Sequence, residues 1–383
     1  MTTYATPDLP TSRSGIRRET PVAATASNAA PLRIGLIAPP WIPVPPPAYG
    51  GTEAVIADLA RGLTERGHHV ELFTVGASSC PVSRGHLFET PIEPFGQSVP
   101  EAAHVLAAYE ALHHVDIIHD HTVLGPLVAP RAGGPPVVTT NHGPFTPLTR
   151  RIFEEIARRA AVVAISHDHA SRAGDVPITA VIHHGVDLDT YRLGPGNHDH
   201  LVFVGRMSPD KGVAAAVRIA HAAGRPLRIV SKMREPEEVE YFRTSVRPLL
   251  SRAEDDVAEL ATAERVELVG QSAGLVNPIA WPEPFGLVMI EALATGTPVV
   301  ARPMGAAPEI VTPGRTGFLA DLETDAVAAV RRLDTIDRAT CRSEVSRRFS
   351  LQRMAADHED LYRRVLSSGP VVGLTSRRAA RAR

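Results

Sequence analysis

The sequence predicts an α/β protein built of two doubly wound, Rossmann-like domains that face a central cleft. Three observations predict it. Short apolar runs alternate with helical segments, the pattern of a parallel sheet covered on both faces. A polar stretch, DLDTYRLGPGNHDH (187–200), breaks that alternation, and a second strand–loop–helix series follows it. The chain has 383 residues, and single cores rarely grow beyond about 250–300 residues. In such sheets ligands bind beyond the carboxyl ends of the strands.

The elements follow in order. LRIGLIAPP (32–40) is an apolar run bounded by prolines and reads as a first buried strand. A proline-rich loop, WIPVPPPAYGG, leads to a helix, TEAVIADLARGLTERG, and a strand, HVELFTVG. Further strands are expected at DIIHDH (116–121), PPVVTTNH (135–142), AVVAISH (161–167) and ITAVIHHG (178–185), with helical segments such as RIFEEIARRA between them. Stretches 77–100 and 122–134 read as loops. After the polar linker come strand LVFVGR, helix KGVAAAVRIAHAAG, strand LRIVSK, helices through 236–252 and 262–271, and GLVNPI. WPEPFGLVMIEALATGTPVV (281–300) supplies a loop, a helix and a short buried strand, and a helix at 324–333 closes the series. The expected domains are 31–190 and 191–350, preceded by a flexible tail (1–30). A segment 351–383 follows, with a helix packing back on the N-terminal domain and a basic tail.

Composition narrows the class. The formal net charge of −2 gives no electrostatic case for nucleic acid. No apolar run approaches the roughly 18 residues needed to span a bilayer. Cys80 and Cys341 lie far apart with no CxxC pattern, which disfavours a disulfide scaffold or a cysteine zinc site and leaves a reducing cytoplasm as the expected compartment. Residues 1–30 are rich in Thr, Ala, Ser and Arg without the apolar core of a signal peptide. The C-terminal SRRAARAR reads as a solvated terminus, with contact to acidic lipid headgroups as the alternative.

Three stretches and a set of histidines carry chemistry. VGRMSPDKG (204–212) sets Arg206 at a strand end and Lys211 at the start of the next helix, two cations suited to a diphosphate. AYGGTE (48–53) offers Gly50 and Gly51, which let backbone approach a ligand. It has neither the dinucleotide G-x-G-x-x-G nor the Walker Lys-Ser/Thr, and a plain turn explains it equally well. Among the 17 histidines, His121 and His142 each end a predicted strand where a cleft would open; no metal site is expected. In WPEPFGLVMIEALATGTPVV, Pro284 places Glu283 just outside a helix that holds Glu291 among apolar neighbours. A carboxylate kept in such surroundings calls for a partner or a ligand.

RMSPDKG followed by EPFGLVMIE, with YGGTE near the N-terminus, resembles the GT-B glycosyltransferases of retaining family 4. YGGTE, KMREPEE and NPIAWPEPFGLVMIEALATGTPVV are most similar to the subgroup that contains a glycosyltransferase of avilamycin biosynthesis. The likeness spans roughly residues 32–366 and implies roles. Arg206 and Lys211 would hold the donor diphosphate, with Phe285 and the backbone of Gly286, Leu287 and Val288 beside it. Glu291 would bind the ribose hydroxyls, and Glu283 the transferred sugar. Gly51, next to Gly50, would let the N-terminal loop close over the donor. His121 would stand near the bond-forming site, and His142 would line the cleft. On one helix, acids eight positions apart would be about 12 Å apart, beyond the roughly 5–9.5 Å of paired glycosidase carboxylates. They suit two ends of a bent nucleotide sugar.

Two departures stand out. His184 occupies a stretch, VIHHGVD, where the family often has Asn. DDVAEL (255–260) is shorter than the family's usual strand beside the nucleobase and lacks its glycine, which leaves the nucleotide open. The resemblance implies a retaining, metal-independent transferase that uses a nucleotide sugar, UDP-linked by expectation, and no cofactor. Natural-product, lipid-linked and small-metabolite acceptors all fit. A UDP-sugar epimerase or hydrolase on the same frame, and a catalytically silent nucleotide-sugar binder, are the alternatives.

Overall fold

The computed structural model describes residues 30–48, 50–129, 134–251 and 255–368. The expected tail through residue 29, Tyr49 of the glycine loop, part of loop 122–134 and the basic C-terminus lie outside the described residues. The first half runs β1 (Arg33–Ile37), α1 (Gly51–Glu65), β2 (His69–Thr74), β3 (Ser83–His86), α2 (Ser98–Ala111), β4 (Ile117–Asp120), α3 (Gly125–Val128), β5 (Val137–Thr140), α4 (Pro147–Ile156), β6 (Ala160–Ala164), α5 (His167–Ser171) and β7 (Ile178–Val181). Its seven strands form one parallel sheet in the order β3-β2-β1-β4-β5-β6-β7. The second half runs β8 (Leu201–Val204), α6 (Val213–Ala223), β9 (Leu227–Val230), α7 (Pro236–Tyr241), β10 (Asp256–Ala258), α8 (Thr262–Gln271), β11 (Gly274–Asn277), α9 (Leu287–Ala294), β12 (Val299–Ala301), α10 (Ala307–Ile310), β13 (Gly317–Leu319), α11 (Glu323–Val330), α12 (Arg338–Arg348) and α13 (Leu351–Ser367). Its six strands are parallel in the order β10-β9-β8-β11-β12-β13.

Both orders reverse beside their first strand, between β1 and β4 and between β8 and β11. Loops that leave adjacent strands in opposite directions open a crevice at such a point. The strands read as apolar runs because helices cover both faces. In β1, Ile34 and Leu36 join Ile56, Leu59 and Leu63 of α1 on one side, while Ile37 joins Tyr109 and Leu112 on the other.

Helix α13 belongs in space to the first sheet. Its Met354, Leu361, Tyr362 and Val365 are buried in the same cluster as α1, each contributing roughly 1.5–3 kcal/mol by leaving water. The approach is close: a Cβ on Gly62 would lie 2.8 Å from Ala355 Cβ and from Leu351 Cδ2. The chain crosses back where Val186 pairs with Ser350, the helix N-cap whose hydroxyl accepts from Arg353 N.

Several readings need correction. Stretch 77–100 contains β3 and the start of α2 rather than a plain loop. Strand β3 is a mostly exposed edge strand, SRGH, with no apolar alternation to announce it. Lys211 does not begin a helix: it ends a single 3-10 turn, Pro209–Lys211, and α6 begins at Val213. Gly212 turns the chain between them at φ 77°, and a Cβ there would meet the Pro278 carbonyl oxygen at 2.2 Å. The polar linker is also less free than its composition implies, since Tyr191 is buried and Asp187 accepts from Thr190 N at 3.0 Å.

Candidate functional site

The second domain contributes its half of the site at the carboxyl ends of β8 and β11. The Gly205–Gly212 turn carries Arg206, whose guanidinium reaches Asp210 at 3.3 Å, and Lys211, whose ammonium pairs directly with Glu283. Lys211 also lies over the Trp281 ring, 5.4 Å from its centroid. Glu283 belongs to the loop between β11 and α9, and Gly286 turns that loop into the helix at φ 98°. A Cβ on Gly286 would be 3.4 Å from Glu283 Oε2 and 2.6 Å from Met289 Cε. Glycine therefore lets the helix start close beside the ion pair. The amides of Leu287 and Val288, the first two of α9, have no acceptor within the helix and present its positive end, while Met289 N donates to the Gly286 carbonyl at 3.1 Å.

Glu291, in the second turn of α9, answers the demand for a partner. Its Oε2 accepts from Arg265 Nη1 at 2.6 Å and its Oε1 from the Tyr191 hydroxyl at 2.7 Å. Beside that carboxylate the Arg265 guanidinium is held above its ordinary pKa. Each carboxylate oxygen keeps a lone pair for a further donor.

The first domain contributes histidines. Four imidazoles follow one another from the end of β4: His119 and His121 with ring centroids 4.1 Å apart, His121 and His142 at 5.2 Å, and His142 and His184 at 5.3 Å in a stack. His121 Nδ1 and His142 Nε2 share a hydrogen bond of 2.9 Å, and His119 bonds the Tyr362 hydroxyl of α13 at 2.7 Å. His358 joins the group 5.1 Å from His119. Burial holds all five neutral. It lowers His142 to about 3 and His358 to about 4, and His119, His121 and His184 well below their usual value. His121 is therefore a neutral hydrogen-bonding group and a weak base.

The two halves touch. Leu287 Cδ1 would be 3.4 Å from a Cβ on Gly51, so the starts of α1 and α9 meet. His184 packs edge-on against Phe285 at 5.0 Å, and Ser166 Oγ donates to the Pro284 carbonyl at 2.6 Å. Of the expected residues, Lys211, Glu283, Phe285, Gly286 and Leu287 thus form one group, which reaches Gly51 and, through His184, the pair His142–His121. Gly50 precedes α1 on extended backbone. Val288 follows Leu287 in the first turn of α9, and Arg206 stands on the neighbouring turn.

Sequence reasoning missed Trp281, Arg265 and Tyr191. It also missed a set of unpartnered polar atoms. Ser208 Oγ, Asn277 Nδ2, Trp281 Nε1 and His121 Nε2 are buried without a hydrogen-bond partner among the described residues. All four lie at or just past the carboxyl ends of β8, β11 or β4, and buried polar atoms left unpaired are costly in a native protein. No single-residue pattern marks them, because their lack of partners is a property of the folded surroundings.

His167, His183 and Glu309 place one potential metal-ligand atom each within 4.8 Å of one another. The carboxylate is otherwise committed. It accepts from His167 N, from Asp168 N and from His183 Nε2 at 2.9, 2.8 and 2.7 Å, and so caps α5 from the other domain. Burial pushes the Glu309 pKa up, but these bonds outweigh it and hold it below the usual carboxylate value. A separate cavity of about 360 Å³ between β10 and α8 contains none of the site residues.

Two doubly wound sheets meeting at their switch points define the GT-B architecture. Residues 49–190 match Glycosyltransferase Family 4, and residues 198–335 match Glycosyl transferases group 1. The D-inositol 3-phosphate glycosyltransferase of Mycobacterium tuberculosis (strain F11) is 30% identical over 357 residues, 76% of this chain and 72% of that one. AviGT4, a glycosyltransferase involved in Avilamycin A biosynthesis, has 28% identity and a TM-score of 0.65, over 88% of this chain and 98% of its own. Anabaena Alr3699/HepE in complex with UDP and glucose shares the fold with a TM-score of 0.68 over 86% and 99%, at 19% identity. The chain belongs to the GT-B glycosyltransferases of family 4. No helix among the described residues is long and apolar enough to cross a membrane.

Proposed function

We propose that this glycosyltransferase moves a sugar from a UDP-linked donor to an acceptor hydroxyl with retention at the anomeric carbon and without a metal ion. The observation that carries this reading is the pairing of Lys211 with Glu283 at the start of α9. A diphosphate would take Lys211, Arg206 and the first amides of the helix, while hydroxyls of the transferred sugar would donate to Glu283. Glu291 would receive the ribose. The unpartnered atoms of Ser208, Asn277, Trp281 and His121 are further groups in want of a ligand.

In the reaction the acceptor oxygen bonds to the anomeric carbon. The bond from that carbon to the diphosphate oxygen breaks, with its electron pair leaving on the phosphate. Fixed cations aimed at the developing charge lower the barrier, and holding both substrates in place supplies the rest. The hydroxyl proton passes to the departing phosphate, since the neighbouring histidines are weak bases. Two cations at the diphosphate provide the positive charge a divalent ion would otherwise bring. Both cysteines are free, in keeping with a reducing, cytoplasmic compartment.

The test is consumption of a panel of UDP sugars with product analysis, with and without EDTA. Undiminished turnover in EDTA is expected. Loss on chelation, restored by Mg²⁺ or Mn²⁺, would overturn metal independence. Epimerised or free sugar as the sole product, with acceptors present, would overturn transfer.

A further inference from the structure

The rim of the first domain beside His121 carries exposed apolar side chains held in place by α2. Helix α2 precedes β4 and runs antiparallel to it, so its first turn lies at the carboxyl edge of the sheet, where the cleft opens. Three contacts fix it there. Glu101 accepts from Val123 N and Leu124 N at 3.1 and 3.2 Å, just past His121. His104 bonds the Ala38 carbonyl at 2.9 Å, just past β1. Phe95, in the loop before the helix, packs against Trp41 with ring centroids 5.5 Å apart.

The outward side of this rim is apolar. Phe95 and Val99 are 73% and 78% exposed, with Leu87 and Val123 about half as accessible at 46% and 42%. Scattered surface apolar residues are ordinary, but a group rimming a binding cleft marks a contact surface. Its charge is one-sided. The exposed acids Glu89 and Glu93 border it, and between Arg84 and Arg150 the sequence holds one cation, Arg131, which lies outside the described residues. The flanking arginines are turned elsewhere, Arg84 Nη1 to the Cys80 carbonyl and Arg150 Nε to the Arg172 carbonyl. Arg151 stands on α4, which neighbours α3, while α3 neighbours α2.

We propose that the acceptor docks on this rim and is an uncharged molecule with an apolar, ring-bearing face, its hydroxyl reaching toward His121. The claim rests on the transferase reading above. Among the described residues of this rim, an acceptor carrying phosphate or carboxylate would find no cation to replace its water and would meet Glu89 and Glu93, both exposed. An anionic membrane surface is disfavoured for the same reason. Phe95 supplies the flat surface on which a ring would lie.

Calorimetry on the full chain saturated with UDP tests this, with phenyl β-D-glucoside as the uncharged probe and myo-inositol 3-phosphate as the anionic one. The glucoside is expected to bind and the phosphate not. Phe95→Asp and Val99→Asp should each weaken glucoside binding at least tenfold and leave UDP affinity unchanged. Leu322→Asp, at an exposed leucine of the other domain, should alter neither. Glucoside binding that is absent, or indifferent to Phe95→Asp, would overturn the proposal, as would equal or tighter binding of the phosphate. Flotation with phosphatidylcholine vesicles that Phe95→Asp abolishes would overturn it in favour of a membrane. Failure of the wild-type chain to bind UDP would instead overturn the donor reading on which it rests.

Discussion

Glu283 and Glu291 sit in one short segment but differ in what holds them. Glu283 pairs with a lysine beside a helix start, whereas Glu291 is locked between Arg265 and Tyr191. Glu291→Gln should weaken UDP binding about ten- to a hundredfold, the worth of one charge-assisted hydrogen bond of roughly 1.5–3 kcal/mol. It should also lower the melting temperature, because Arg265 loses its counter-charge. Glu283→Gln should leave UDP affinity nearly unchanged while transfer collapses. Calorimetric titration of UDP beside a transfer assay checks both, and equal effects on UDP affinity would refute the division of labour. His184 invites a second substitution. Its stack on His142, which bonds His121, is a contact worth about 0.5–1.5 kcal/mol. His184→Asn should therefore lower kcat roughly two- to tenfold with UDP affinity intact. An unchanged kcat would leave His184 only a packing role.

At the scale of elements, α13 is the clearest case of a helix placed by packing. It follows the second domain in sequence and buries its apolar face against α1 of the first. Gly62→Val should force Leu351 and Ala355 away and cost about 1–3 kcal/mol, the usual penalty for overpacking. At roughly 2–4 °C per kcal/mol, scanning calorimetry should show a fall of several degrees, and an unaltered melting temperature would deny the close approach. The strands were legible because parallel, doubly covered strands read as apolar runs: all six expected in the first half and all of those expected in the second are present. The exceptions have local reasons. Strand β3 is a polar edge strand, and β13 is three residues long, too short to show a period. Lys211 fell in a 3-10 turn because Gly212, at φ 77°, delays the helix.

The whole molecule carries a pH dependence. His119, His121, His142, His184 and His358 are neutral in the fold with lowered pKa values. The unfolded chain takes up protons near the ordinary value of 6.5 that the folded chain refuses. Stability from this group is complete above 6.5 and is lost as pH falls below it, toward the value of about 4 at which His358 charges in place. Each refused proton removes about 1.36 kcal/mol per pH unit. Glu53 and Asp58, which burial raises to about 7, take up protons in the fold as pH falls and offset part of this loss. The buried histidines outnumber them, so melting temperatures measured from pH 8 to pH 5 should fall. A flat profile would contradict the burial of the cluster.

The sequence alone determined the two-sheet architecture, the order of most elements and the motifs of both domains. Those follow from hydrophobic runs and turn residues, which act between neighbours in the chain. It also singled out His121 because it ends an apolar run, Lys211 because it stands with Arg206 around a tight turn, and Glu283 and Glu291 because they are acids in or beside an otherwise apolar helix. The tertiary structure decided what each of them touches. Arg265 lies 26 positions before Glu291, Tyr362 lies 243 after its partner His119, and Glu309 caps a helix 141 positions away. Such separations are closed only when whole elements pack, because burial of apolar faces, with no regard to sequence distance, fixes which polar groups end up side by side.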